Sequence, residues 1–242
     1  MRVLVTGGAK RLGAAIARAV ARAGHVPVIH YGTSQAEAEA LAAELDGTAV
    51  QGDLSDLADV PALFARACKG GAIDGLVNSA SLFEYDSPAA PDPALAARLH
   101  AVNVMAPSLL AAALAGQGRE GAVVNLLDQK LANPNPDFYS YTLTKAALAE
   151  ATVLMAQAYA PHVRVNAVSP GLTLPSGDQT DAEFDAVARA NLLQRPVGAQ
   201  AVADAVVWLL EARSVAGQNV FVDCGQRFVK SARDVMFGTD HG

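Results

Sequence analysis

A chain of 242 residues can bury a sizeable core, as one large α/β domain or as two small ones. With 52% apolar and 17% charged residues it has the composition of a globular protein, which excludes a disordered one. A net charge of −6 without any Lys/Arg block argues against a nucleic-acid partner. The two cysteines, Cys68 and Cys224, read as buried thiols, not as a disulfide framework or a metal site. No charged leader opens the chain and no apolar run reads as long enough to cross a bilayer, so the expectation is a soluble cytoplasmic protein with no membrane partner.

Residues 2–5 (RVLV) read as a first strand, followed by Thr6-Gly7-Gly8-Ala9-Lys10-Arg11-Leu12-Gly13 and helical sequence to Ala23. Strand, glycine turn and helix in that order set backbone N–H groups and a helix N-terminus where a pyrophosphate can sit. Gly7 and Gly8 permit the turn, and Gly13 lets helix and strand approach. Val26–His30 is the second strand, followed by Tyr31-Gly32-Thr33-Ser34 and a helix to Glu44 with Ser34 as cap. An NAD site wants a carboxylate near the end of this strand, and none is there. Lys10, Arg11, Thr33 and Ser34 suit a 2′-phosphate instead, which favours NADPH; the plain alternative for Lys10 and Arg11 is a solvated turn.

Residues 48–51 make a third strand ending in Asp53-Leu54, a pair suited to an adenine edge. A helix follows to about Ala67, with Pro61 inside it or at a break. Strand four covers 73–78 and leads into Ser79-Ala80-Ser81-Leu82-Phe83. A long helix runs from about 94 to 115, where Asn103 and Pro107 ask for a kink. Strand five is 122–127 and strand six 163–168, followed by Pro170-Gly171-Leu172. Residues 172–198 read as a lid over a site, 199–212 as a helix and 219–223 as strand seven. Seven strands alternating with helices give an α/β class: a single Rossmann-fold domain over 1–242 with a doubly wound, seven-stranded parallel sheet.

Between strands five and six stands NLLDQKLANPNPDFYSYTLTK, residues 125–145. Tyr141 and Lys145 share one helix face, and an ammonium beside a phenol lowers the phenol's pKa, which makes Tyr141 a proton donor to a substrate receiving a hydride. An ionised Asp128 close to Tyr141 would oppose that, so the two should titrate as a pair. Phe138 and Tyr139 are either pocket walls or helix packing.

T-G-G-x-x-x-x-G, D-L, N-x-A, N-x-x-x-P, Y-x-x-x-K and P-G, in that order from Val3 to Gly225, resemble the short-chain dehydrogenase/reductase family. That family usually has glycine at the place of Arg11 and serine at the place of Asp128; both departures, with H-Y-G-T-S, look like its pteridine reductase branch. The branch often has a basic residue after the second strand, where this chain has Gly32-Thr33. The resemblance implies that Asp128, Tyr141 and Lys145 act at the reacting atoms. Asn103 would kink its helix around a water joining Lys145 to solvent, and Phe83 would stack on a pterin with Leu172 nearby. It places a dinucleotide on Arg11, Leu12, Asp53, Leu54, Asn78, Ser81 and Lys145, and Gly7, Lys10, Gly13, Tyr31, Thr33, Ser34, Ser79, Ala80, Tyr141, Pro170 and Gly171 complete the expected cofactor contacts. The expected activity is NADPH-dependent reduction of a pterin or dihydrofolate C=N bond. Reduction of a small ketone or 3-oxoacyl thioester, or NADPH binding without turnover, are the alternatives. A homotetramer built on the helices of 94–115 and 138–159 follows by resemblance, and the tail 226–242 either covers a neighbour's site or is disordered.

Overall fold

A computed structural model describes residues 1–175, 180–234 and 237, so residues 176–179 of the expected lid and 235–236 and 238–242 of the tail lie outside the described residues. Seven strands, β1 (Arg2–Val5), β2 (Val26–Tyr31), β3 (Thr48–Gln51), β4 (Gly75–Asn78), β5 (Gly121–Leu126), β6 (Val163–Pro170) and β7 (Asn219–Val222), form one sheet. Its order is β3-β2-β1-β4-β5-β6-β7, and every pairing is parallel.

Alternation along β1 shows how both faces are covered. Val3 and Val5 point to a cluster with Ile16 and Val20 of α1 (Arg11–Arg22) and Val202, Val206 and Leu209 of α8 (Ala199–Glu211). Leu4 points the other way, to Leu63 of α3 (Val60–Ala67), Leu110 of α5 (Ala106–Ala115) and Met155 of α6 (Tyr139–Tyr159). A strand buried on both sides needs an unbroken apolar run, which is why RVLV reads as it does. The helix α2 (Gln35–Glu44) packs Ala38 and Leu41 beside α1. The chain winds outward from β1 to β3, then restarts at β4 on the other side, opening a crevice at the carboxyl ends of β1 and β4.

Several local expectations need adjusting. Pro61 sits in the first turn of α3, where its missing N–H costs nothing. Ser34 occupies the cap position of α2, yet its side chain makes no capping bond. The long helix is α4 (Pro93–His100), a π-helical stretch at Ala101–Met105, then α5. Pro107 has no N–H for the Asn103 carbonyl four residues back, and the widened turn takes up that mismatch. Contrary to the expectation from sequence, residues 93–115 are apolar and long enough to cross a bilayer by length and composition. Half of its most apolar 18-residue window is buried, with Leu99, Leu110 and Leu114 in the core, because an alanine-rich core helix has the same composition. The helix α7 (Asp181–Ala188) lies in the expected lid.

Candidate active site

The glycine turn is held from below by a histidine. His30 Nδ1 accepts the Gly7 N–H at 3.1 Å, and Nε2 faces the Gly52 carbonyl at 3.2 Å. A carbonyl only accepts, so the proton sits on Nε2 and the ring is neutral. Burial pushes the imidazole down from its ordinary value to about 4, against a weaker upward pull from the Gly52 bond. Gly7 has φ 61°, and a methyl on Gly13 would overlap the Gly7 carbonyl. Arg11 itself has φ 52°, the left-handed conformation that explains a glycine preference at this position.

Above the turn, α1 begins with no side-chain cap on its first amides and no acid in its first turn. Its positive end is open to an anion. Arg11 donates from its guanidinium to the Pro175 carbonyl across the crevice. Lys10, expected as a phosphate contact, forms an exposed ion pair with Glu37 at 2.7 Å, a partner that an incoming anion can displace. Tyr31 and Ser34 are half-buried and Thr33 exposed at the end of β2, with no carboxylate among them. Asp53 Oδ1 is taken up by Ser55 N–H (2.8 Å) and Oγ–H (2.7 Å), and the Leu54 side chain is buried in the core.

The exit of β4 is fastened to β1 by Thr6, whose Oγ1 accepts from Ser79 N–H at 3.0 Å and Ala80 N–H at 3.1 Å. Asn78 donates to Asn125 at 2.8 Å, and its Oδ1 is buried without a partner among the described residues. The Asn103 side chain bonds to the Ser81–Leu82 loop and to α6 at Thr144. Its Oδ1 accepts from Leu82 N–H (2.8 Å) and Ser81 Oγ–H (3.2 Å), while Nδ2 donates to the Leu82 carbonyl (3.0 Å) and Thr144 Oγ1 (3.1 Å). It therefore ties the loop carrying Phe83 to the helix carrying Tyr141.

At the start of α6 the buried Asp86 accepts from Ser140 N–H at 2.8 Å and Oγ–H at 2.6 Å, an anion at the helix's positive end. One turn in, the Tyr141 hydroxyl donates to Asp128 Oδ2 at 2.8 Å, and Asp128 Oδ1 accepts from Lys130 N–H at 2.8 Å. Lys145 Nζ donates to the Leu126 carbonyl at 2.8 Å and lies 5.6 Å from the Tyr141 ring centre. This corrects the sequence reading of the phenol. Burial first, then the Asp128 carboxylate, hold Tyr141 well above the ordinary phenol range despite the nearby ammonium. Burial also raises Asp128 and lowers Lys145 to about 8. The pair shares protons and favours the neutral phenol.

Phe83 stands against this pair, edge-on to Tyr141 at 4.7 Å and stacked on Phe138 at 4.0 Å, with 40% of its surface exposed. Phe138, left open between pocket wall and packing, is buried beneath Phe83 at φ 53°. A cleft of about 350 Å³ is bordered by Leu12, Ser79, Ser81, Phe83, Asp128, Tyr141, Lys145, Pro170, Gly171 and Leu172. The other expected residues stand off it: Gly7, Gly13, Asn78 and Ala80 lie at the exits of β1 and β4 and the start of α1, and Tyr31 to Leu54 extend along the carboxyl edge. Leu172 N–H donates to Gln226 Oε1 at 2.9 Å, and a side chain on Gly171 would strike that same oxygen. Among the described tail residues, Gln226, Val229, Lys230, Ser231, Arg233 and Asp234 border this chain's own cleft. The roles of His30, Thr6 and Lys130 were not read from sequence, since nothing local marks a side chain that acts through another strand or loop, and the tail, expected over a neighbour's site or disordered, borders its own cleft.

A family model described as Enoyl-(Acyl carrier protein) reductase matches residues 7–227. The chain is similar to "Pteridine reductase 1" of Leishmania tarentolae, 31% identical across 94% of this chain and 96% of the relative. It is also similar to "Dihydromonapterin reductase" of Enterobacter sp. (strain 638), 28% identical across 93% and 95%. Among solved structures, FolM Alternative dihydrofolate reductase 1 from Brucella canis complexed with NADP superposes with a TM-score of 0.90, at 40% identity over 96% of each chain. Fold, motif order and relatives agree: this chain belongs to the short-chain dehydrogenase/reductase family.

Proposed function

We propose that the protein is an NADPH-dependent reductase acting on the C=N bond of a pterin or dihydrofolate, and the observation that carries this reading is the Tyr141–Asp128 bond beside the exposed face of Phe83. The residues present fit the cofactor. The open positive end of α1, Arg11, the hydroxyls of Thr33 and Ser34, the partnerless Asn78 Oδ1 and the absence of a carboxylate after β2 suit a dinucleotide with a 2′-phosphate. Gly7, Lys10, Leu12, Gly13, Tyr31, Asp53, Leu54, Ser79, Ala80, Ser81, Lys145, Pro170 and Gly171 complete the proposed contacts. NADPH supplies the hydride when bound.

Tyr141 holds the proton. Its O–H bond breaks as that proton passes to the ring nitrogen. A phenolate beside an ionised Asp128 would put two negative charges about a hydrogen bond apart, and burial raises both groups, so the pair takes a proton back from solvent after the transfer. Lys145 and the Lys130 N–H stabilise the charge left on the pair. The same carboxylate, when ionised, accepts two N–H groups from an aminopyrimidine edge, and Phe83 offers its ring face. Leu172 closes the substrate side.

The assay is NADPH oxidation followed by absorbance with dihydrobiopterin and with dihydrofolate. Turnover of either supports the reading, and no oxidation above background with any pterin overturns it. We further place the protein in the cytoplasm, where its two free cysteines fit a reducing compartment, and propose a homotetramer. Met105, Leu143 and Leu154, exposed apolar residues on the π turn and α6, support that assembly.

A further inference from the structure

Residues 226–234 form a strap fastened to the loop before α6 at three points. Asn133 Nδ2 donates to the Val229 carbonyl at 2.7 Å. Lys130 Nζ donates to the Asp234 carboxylate at 3.0 Å and to the Asp137 carbonyl at 2.6 Å. Asp137 in turn accepts from Arg233 Nε at 2.8 Å and from Asp234 N–H at 2.7 Å. The Lys130 and Asp234 side chains are only 4% and 14% exposed, so this tie escapes the screening that weakens surface pairs. The strap is a wall of the cleft.

What the strap presents there is positive. It carries Arg227, Lys230 and Arg233 against one acid, Asp234, in a chain of net charge −6. Arg227 is taken up by Asp223 at 2.8 Å. Arg233 is held through Nε, lies over the Phe237 ring at 4.8 Å and borders the cleft. Lys230 is exposed, borders the cleft and makes no ion pair among the described residues. The acids facing the same cleft are Asp128 and Asp234. Tyr141 and Lys130 N–H engage the first, and the Lys130 ammonium engages the second.

We infer that Lys230 and Arg233 form a carboxylate subsite at the cleft rim, which makes a pterin bearing an acidic tail the preferred substrate over an unconjugated pterin. The inference rests on the proposed pterin reading and deepens it. Asp128 and Lys230 border one cleft, so a ring held at the first leaves its substituent to run toward the second. An anion there gains attraction from Lys230, which has no ion pair among the described residues, and from Arg233, whose charge Asp137 shares through Nε.

The test compares kcat/KM for dihydrofolate with kcat/KM for dihydrobiopterin in the wild type, Lys230→Gln and Lys230→Glu. The ratio is expected to fall roughly 3- to 10-fold in Lys230→Gln and further in Lys230→Glu. Added salt should lower it in the wild type more than in either variant. Binding of methotrexate and of 2,4-diaminopteridine gives a second reading without turnover, since only the first carries a glutamate. If both ligands bind and the substitutions leave the ratios unchanged, the rim subsite is wrong while the pterin site stands. If neither pterin is reduced and neither ligand binds, the pterin reading fails and the subsite falls with it.

Discussion

Acid should loosen this protein through one buried imidazole. In the folded chain His30 accepts from Gly7 N–H and donates to the Gly52 carbonyl, so a second proton on Nδ1 would face a donor with a donor. Burial lowers its pKa from 6.5 to about 4. A base whose folded pKa lies below its unfolded one contributes stability that is complete above pH 6.5 and is lost as pH falls from there to about 4. At ~1.4 kcal/mol per unit, the whole loss is about 3 kcal/mol, a large share of the ~5–15 kcal/mol typical of a domain. Urea unfolding at stepped pH in the wild type and in His30→Gln measures it, because glutamine keeps a donor and an acceptor but does not titrate. Between pH ~6 and ~4.5 the wild type should lose stability more steeply by about 1 kcal/mol per unit. Parallel losses in the two proteins would refute the reasoning.

Tyr141→Phe removes a proton and little contact area, so kcat should fall ~10²- to 10⁴-fold while NADPH affinity by fluorescence titration barely moves. Arg11→Ala should weaken NADPH more than NADH in the same titration; equal weakening counts against a 2′-phosphate contact. Asp86→Ala strips both Ser140 donors of their partner and should cost about 1–3 kcal/mol in thermal unfolding. Since Asp128 and Tyr141 are both raised, the proton is present at low pH and lost at high pH. Turnover should therefore decline as pH rises through the pair's titration, and Asp128→Asn should move or abolish that decline.

The succession of strands and helices was legible because each buried strand is a short apolar run and many boundaries carry glycine or proline. Arg2–Val5 and Thr48–Gln51 were bounded as the structure has them, and the Asn103–Pro107 kink was anticipated, though not its form as a π turn. The sign of the Tyr141 shift was not legible. Lys145 is marked by its i+4 spacing, whereas the strength of Asp128 depends on a loop bringing a carboxylate to 2.8 Å and on burial of both groups. Asn103 was read as kinking its helix around a water between Lys145 and solvent; the kink is there, while the ties of its amide to Leu82 and Thr144, partners set by tertiary packing, were not legible. The tail stayed obscure for a similar reason. Its only strong signals, Arg233 and Asp234, find partners roughly a hundred residues earlier in the chain.

The central claim is that a pteridine ring lies on Phe83 with its amino edge at Asp128, within reach of the Tyr141 hydroxyl. A crystal structure of the complex with NADPH and methotrexate measures this most directly. The account predicts the diaminopteridine N–H groups on the Asp128 carboxylate and one ring face against Phe83. A ring bound elsewhere in the cleft, with Tyr141 still closed onto Asp128 and Phe83 untouched, would contradict it.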